Sequence, residues 1–325
     1  MPPNPKVFFP KTAVFVTSRV EEGLPFVCSL HLRAILWGIL ARASSMYQVK
    51  VCHFLWMANH LHLLIVVDNP EHVKDFVGYI KTESAHAVNR LMGRRRRTVW
   101  CEGYDSPTLL TTKEVLRYIL YTYSNPARAD LEETIEKYPG LNSWSMYMDN
   151  KSTKRCPWIR RPAVPQIGHM KLTAYEQKEL KKELIKHSTI SHEFVLEPDA
   201  WMVCFAESRV WDPQEVRAEL ARELRKAELQ CKKERKGNVI GTKALMCQSM
   251  DKPYTPSKHA NKTLCLCSDL SLRKSFILLC RVLFAMAREV YENWKRGDFS
   301  VPFPPGLFAP SLPRQANMVG PPILV

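Results

Sequence analysis

Across residues 1–150, stretches of strand character alternate with stretches of helical spacing, and the order of the alternation leaves few folds open. Residues 13–20 (AVFVTSRV) are β-branched and aromatic, which suits a strand. Residues 29–47 carry Leu32, Ile35, Leu36, Ile39 and Leu40 at helical spacing, with Ser29 as a candidate cap. Residues 49–57 and 61–68 are two strand-like runs, with Asn59 near a tight hairpin turn. Residues 71–92 return to helical spacing through Val73, Phe76, Val77 and Ile80. A fourth strand run, 98–110, follows, and then a helix over 111–129 capped by Thr111 or Thr112. The order β-α-β-β-α-β-α predicts an α+β fold: a ferredoxin-like, split βαβ antiparallel sheet with helices on one face.

Beyond residue 150 the composition changes. The segment KSTKRCPWIRRPAVP is basic and Pro-rich, which predicts a linker over 151–170. Thr173-x-x-Glu176 reads as a capping box, and Asp212-Pro213-Gln214-Glu215 opens a longer helix to about residue 236. Residues 237–262 are polar and predict a loop. Residues 268–295 are apolar enough for a core helix, and a Phe- and Pro-rich extended arm starts at Asp298. The chain thus divides into a domain over 1–150, a linker over 151–170 and a mainly helical basic region over 171–325.

Lys and Arg exceed Asp and Glu by 15, which calls for a polyanionic partner, nucleic acid before an anionic membrane surface. Residues 1–150 hold +3 of this charge and the remainder +12. No apolar stretch approaches the ~18 residues of a spanning helix, so no membrane insertion is expected. The first residues hold three prolines and no apolar h-region, and the ten Cys form no CxxC pair. Both point to reduced thiols and a cytoplasmic, nucleoid-associated protein.

The stretch that carries chemistry is Met57-Ala58-Asn59-His60-Leu61-His62-Leu63-Leu64-Ile65. On a strand, His60 and His62 share a face while Leu61, Leu63 and Ile65 pack the other. Two imidazoles side by side are half of a divalent-metal site. Alone the pair is weak, since two His on a half-exposed strand without a ligand fit the same pattern. A second stretch, Arg117 to Ala129, places Tyr121 and Asn125 one helical turn apart. Pro126 predicts that the helix ends at Asn125, whose amide oxygen can then turn to a metal. Tyr118 and Tyr121 as core aromatics, with Asn125 as a C-cap, fit equally well.

Taken together, Asn59-His60-Leu61-His62-Leu63-Leu64 and Tyr121-Thr122-Tyr123-Ser124-Asn125-Pro126-Ala127-Arg128-Ala129 resemble the single-tyrosine transposases with an HUH motif, in the branch associated with repetitive extragenic palindromes. Tyr138-Pro139 with Ser143-Trp144-Ser145-Met146-Tyr147 resembles that family's closing segment, and Phe15-Val16-Thr17-Ser18-Arg19 its first strand. The resemblance covers residues 8–150. Ala58 stands where the family has Pro. Glu102 and Asp105 stand in a stretch that is more basic in the family, so DNA contacts there are altered or moved to the C-terminal region.

The resemblance implies transesterification on single-stranded, hairpin or palindromic DNA. A Mg²⁺ or Mn²⁺ ion on His60, His62 and Asn125 would polarise the scissile phosphate, and Tyr121 would attack it to give a 5′-phosphotyrosine and a free 3′-OH. Of the three tyrosines near Asn125, Tyr121 is nearest on its face; Tyr123 points elsewhere and Tyr118 packs on the sheet. DNA contacts are expected from Arg94, Arg95, Arg96 and Arg97, from Arg128, and from Arg160 and Arg161 around Trp158, whose ring suits base stacking. Monomer and homodimer stay open. So do two other readings: a DNA-binding regulatory protein on the same fold, and a phosphodiesterase that uses water.

Overall fold

The computed structural model describes residues 6–21, 29–95, 97–168, 172–248 and 263–308. The chain runs β1 (Ala13–Arg19), α1 (Leu30–Met46), β2 (Val49–Trp56), β3 (His60–Val67), α2 (Pro70–Leu91), β4 (Thr108–Leu109) and α3 (Thr112–Arg128). Then come α4 (Trp144–Met148), β5 (Thr153–Trp158), α5 (Ala174–Lys186), β6 (Ile190–Val195), α6 (Pro213–Glu234), α7 (Thr242–Met246), β7 (Cys265–Leu266) and α8 (Leu270–Lys295). The expected β-α-β-β-α-β-α succession is the observed one. The fold is mixed α/β around an antiparallel-dominated sheet of order β2-β3-β1-β4-β7, in which only β4 and β7 pair in parallel.

Alternation along β3 builds two cores. Leu61, Leu63 and Ile65 join Val14, Val16, Phe54 and Trp56 beneath α1 and α2. Leu64 and Val66 point the other way, with Ala13 and Phe15, and are covered by Ile119 and Tyr123 of α3 and by Leu220 and Leu224 of α6. Helices therefore lie on both faces, not on the one expected. The run Leu63-Leu64-Ile65-Val66-Val67 is apolar at every position, as in strands buried on both sides.

Four further expectations change. The strand run over 98–110 shrinks to β4, with isolated bridges at Trp100 and Asp105. Gly103 takes φ +70° and Pro107 offers no N–H, so a continuous ladder cannot form. The expected linker over 151–170 instead supplies β5, which pairs with β6, and Cys156, Trp158 and Ile159 are buried in the first core. The helix over 112–128 runs through Pro126, because a proline in the last turn forfeits a single backbone bond. Asn125 stays helical, and its carbonyl accepts the Ala129 N–H. Finally, α8 is no core helix. It lies outermost beside β7, with only Cys280 and Ala287 buried, while Leu278 and Val282 face outward. The capping boxes fare better: Thr173 and Glu176 bond reciprocally, and Asp212 caps α6. The Phe- and Pro-rich segment folds back as far as residue 308, with Gly306 accepting from the Phe8 N–H and Leu307 buried. Its remainder, and residues 249–262 of the expected loop, lie outside the described residues.

Candidate active site

The β2–β3 hairpin turns through residues 57–59, closed by the Met57 N–H on the His60 carbonyl at 2.8 Å. Period two then places His60 and His62 on the α3 side of β3. Their ring centroids are 4.6 Å apart and nearly perpendicular. Asn59 Oδ1 can only accept, so His60 Nδ1, 2.7 Å away, is the protonated nitrogen and Nε2 carries the lone pair. His62 is held from both ends. Its Nδ1 meets Thr17 Oγ1 at 3.2 Å, and its Nε2 accepts from Asn125 Nδ2 at 3.1 Å. Thr17 faces His62 directly in the β1–β3 register, and Phe15 stacks on the His62 ring at 5.3 Å.

On α3, Asn125 is buried at 9% exposure, whereas Tyr121, one turn earlier, is 36% exposed. The Tyr121 ring stands edge-on to His62 at 5.5 Å, with the Arg128 guanidinium 5.9 Å from its centroid. Tyr118 packs on Phe15 at 4.8 Å. Tyr123 points into the core, where its hydroxyl bonds His53 Nδ1 and Ser143 Oγ, each at 2.8 Å. The structure thus brings together His60, His62, Tyr121 and Asn125, with the Tyr118 ring beside Tyr121 at 5.7 Å and Tyr123 turned away into the core.

Electrostatics keep both imidazoles neutral. Burial, aided by the Arg19 charge, lowers His60 to about 4. His62 lies well below its ordinary value through burial first, then His60 and Arg19. A protonated Nδ1 leaves the His60 Nε2 lone pair open, whereas His62 Nε2 is held by Asn125 Nδ2 and would exchange that bond for a metal; a partner on Nδ1 is what sets the tautomer of a metal-binding His. Among the described residues no three His, Cys, Asp or Glu side chains converge, so any third protein donor beside the two imidazoles would be the Asn125 amide oxygen. The donor set of two imidazoles and one amide therefore fits a divalent ion.

Residues 26–121 match the transposase family described as IS200-like. The match covers less than half of the chain. It takes in α1 to β4 and ends on Tyr121. No curated protein matches the chain. Among solved structures, that of a REP-associated tyrosine transposase bound to a REP hairpin is similar at 12% identity and a TM-score of 0.39, over 46% of this chain and 86% of that one.

The residues expected to contact DNA divide. Arg95, Arg97, Arg128 and Arg160 are exposed and Arg94 is half-buried, whereas Arg96 lies outside the described residues. Arg161 forms a two-pronged ion pair with Glu83, at 2.6 and 3.1 Å. Trp158 cannot stack on a base: it is buried in the first core, with Arg42 over its ring at 4.4 Å. Its burial follows from β5, whose alternation turns Cys156 and Trp158 inward. Sequence reasoning missed Phe15 and Thr17 as the support of His62. The i, i+2 argument applied to the histidines, extended to β1, would have found them.

Proposed function

We propose that the chain is a tyrosine transposase that nicks and rejoins single-stranded DNA, in hairpin or palindromic form, through a covalent phosphotyrosine on Tyr121. One observation carries the reading: two neutral imidazoles, an amide and an exposed phenol from two different elements meet on one side of β3. The strand order β2-β3-β1-β4, with α1 and α2 as crossovers, supports a split βαβ platform for that site.

His60, His62 and Asn125 would hold Mg²⁺ or Mn²⁺, and the ion would supply Lewis-acid charge to the scissile phosphate. Tyr121 is placed to attack. Its Oη bonds phosphorus while the bond from phosphorus to O3′ breaks. The phenolic proton passes to solvent, and O3′ leaves with the electron pair and takes up a proton as the free 3′-OH. The phosphotyrosine keeps the energy of the phosphodiester, so the reverse attack by a 3′-OH rejoins strands without a nucleotide cofactor. The buried Thr17 and Phe15 contacts hold His62, and Arg128 places a positive charge beside the nucleophile. Arg95, Arg97 and Arg160, which are exposed, would meet DNA phosphates.

The test is incubation of the full chain with labelled single-stranded hairpin oligonucleotides and Mg²⁺. A denaturation-resistant protein–DNA adduct is expected, lost in Tyr121→Phe while hairpin affinity stays within a few-fold. Cleavage without an adduct points to water as the nucleophile, and binding without cleavage to a regulatory binder; either result rejects the proposal.

A further inference from the structure

We propose that Arg19 is a catalytic residue of this site, its guanidinium binding the non-bridging oxygens of the phosphate that Tyr121 attacks. The inference rests on the reading of Tyr121 as nucleophile and adds to it a residue that binds the reacting phosphate.

The argument begins with register. In the β1–β3 pair, Thr17 faces His62 and Arg19 faces His60. Directly opposed residues of an antiparallel pair project from the same face, with Cβ atoms about 5 Å apart. Arg19 therefore leaves the sheet on the side of both imidazoles, two residues beyond the threonine that fixes His62. Its backbone is firmly held. The Arg19 carbonyl accepts from the Cys101 N–H at 2.9 Å, and the next N–H donates to the Asn59 carbonyl at 2.8 Å. The side chain is exposed and, among the described residues, makes no hydrogen bond or ion pair. Some arginines do have carboxylate partners, as Arg117 with Glu114, Arg161 with Glu83 and Arg235 with Asp130. Arg19 thus presents, beside the two imidazoles, a positive charge for which the described residues supply no anion.

A phosphate seated at the imidazole nitrogens and within reach of Tyr121 supplies that anion. As the phenolate oxygen adds and O3′ departs, negative charge concentrates on the two non-bridging oxygens. A planar guanidinium fork matches that pair better than an ammonium does, and it is most effective where it is already oriented. Arg19 neither gives nor takes a proton in the step, since a guanidinium stays charged.

The experiment uses the full chain, a hairpin oligonucleotide at saturating concentration, and single-turnover formation of the covalent adduct. Arg19→Gln is expected to slow the adduct by roughly 100-fold, with Arg19→Lys between it and the unaltered protein. Hairpin affinity, read by fluorescence anisotropy without divalent ions, should change by less than a few-fold. The deciding substrate carries an uncharged methylphosphonate at the scissile position. On it, the unaltered protein and Arg19→Gln should converge to within a few-fold. Three results overturn the proposal: an unchanged rate at saturation, a defect confined to affinity, or an undiminished defect on the methylphosphonate. If the unaltered protein forms no adduct with the natural substrate, the reading of Tyr121 falls and this inference falls with it. An adduct made equally well by Arg19→Gln removes Arg19 alone.

Discussion

His62 shows at the scale of one residue how burial prepares a ligand. Thr17 and Asn125 engage its two nitrogens, Phe15 covers one ring face, and its burial keeps the ring uncharged. The same physics acts elsewhere. Burial lowers His53 to about 3 and His31 to about 4, from an ordinary 6.5. Between pH 6.5 and 4 the unfolded chain binds protons at these imidazoles that the native chain refuses. Stability from them is complete above pH 6.5 and is lost as pH falls toward 4. Glu228, pushed up to about 7 by burial, and Asp199, also raised by burial, act in the opposite sense. Four imidazoles, those of His31, His53, His60 and His62, outweigh two carboxyls. The midpoint of thermal unfolding, followed by circular dichroism, should therefore hold near pH 7 and fall steadily from pH 6.5 to 4. A midpoint that holds or rises over that interval contradicts the assignment of these histidines as buried and neutral.

At the scale of elements, α1 must approach β5 closely, and Gly38 is what permits it. A Cβ at this position would lie 2.3 Å from the Pro157 carbonyl oxygen, a backbone atom that cannot swing away. Alanine gains helix propensity, by up to about 1 kcal/mol. Overpacking against backbone costs about 1–3 kcal/mol. Gly38→Ala should lower stability in urea titration, and a more stable variant would show that α1 and β5 do not pack this way. That contact also marks where sequence reading stops. The succession up to α3 was legible because period two and period 3.6 are local signals; spacing put His60 beside His62 and Tyr121 beside Asn125, and the resemblance to the single-tyrosine transposases joined the two pairs into one site. β5 was not legible. Its apolar positions, Cys156 and Trp158, sit among Lys154, Arg155, Pro157 and Arg160, and what buries them is α1, more than a hundred residues earlier. The same non-local cause turned Trp158 from a base-stacking candidate into a core residue, and set α3 and α6 on the second face of the sheet. Arg19 went unassigned because its neighbour His60 is across the sheet, not along the chain.

At the scale of the molecule, the chain beyond residue 150 is built into the same two cores as residues 1–150. Phe194 and Leu196 enter the first, and Trp201, Leu220 and Leu224 the second, while β7 extends the sheet at β4. A chain cut at residue 150 would expose both cores, and it should lose cooperative thermal unfolding rather than persist as a smaller active enzyme. A truncated protein that melts sharply would contradict this. Among the described residues no helix is long and apolar enough to cross a membrane, and the full chain carries a net charge of +15. All of this architecture converges on one hydroxyl. The most direct measurement is peptide mapping of the protein–DNA adduct by mass spectrometry, after reaction of the full chain with a hairpin oligonucleotide and Mg²⁺. The account predicts the nucleotide on Tyr121; a nucleotide on Tyr118 or Tyr123, or cleaved DNA with no modified tyrosine, would contradict it.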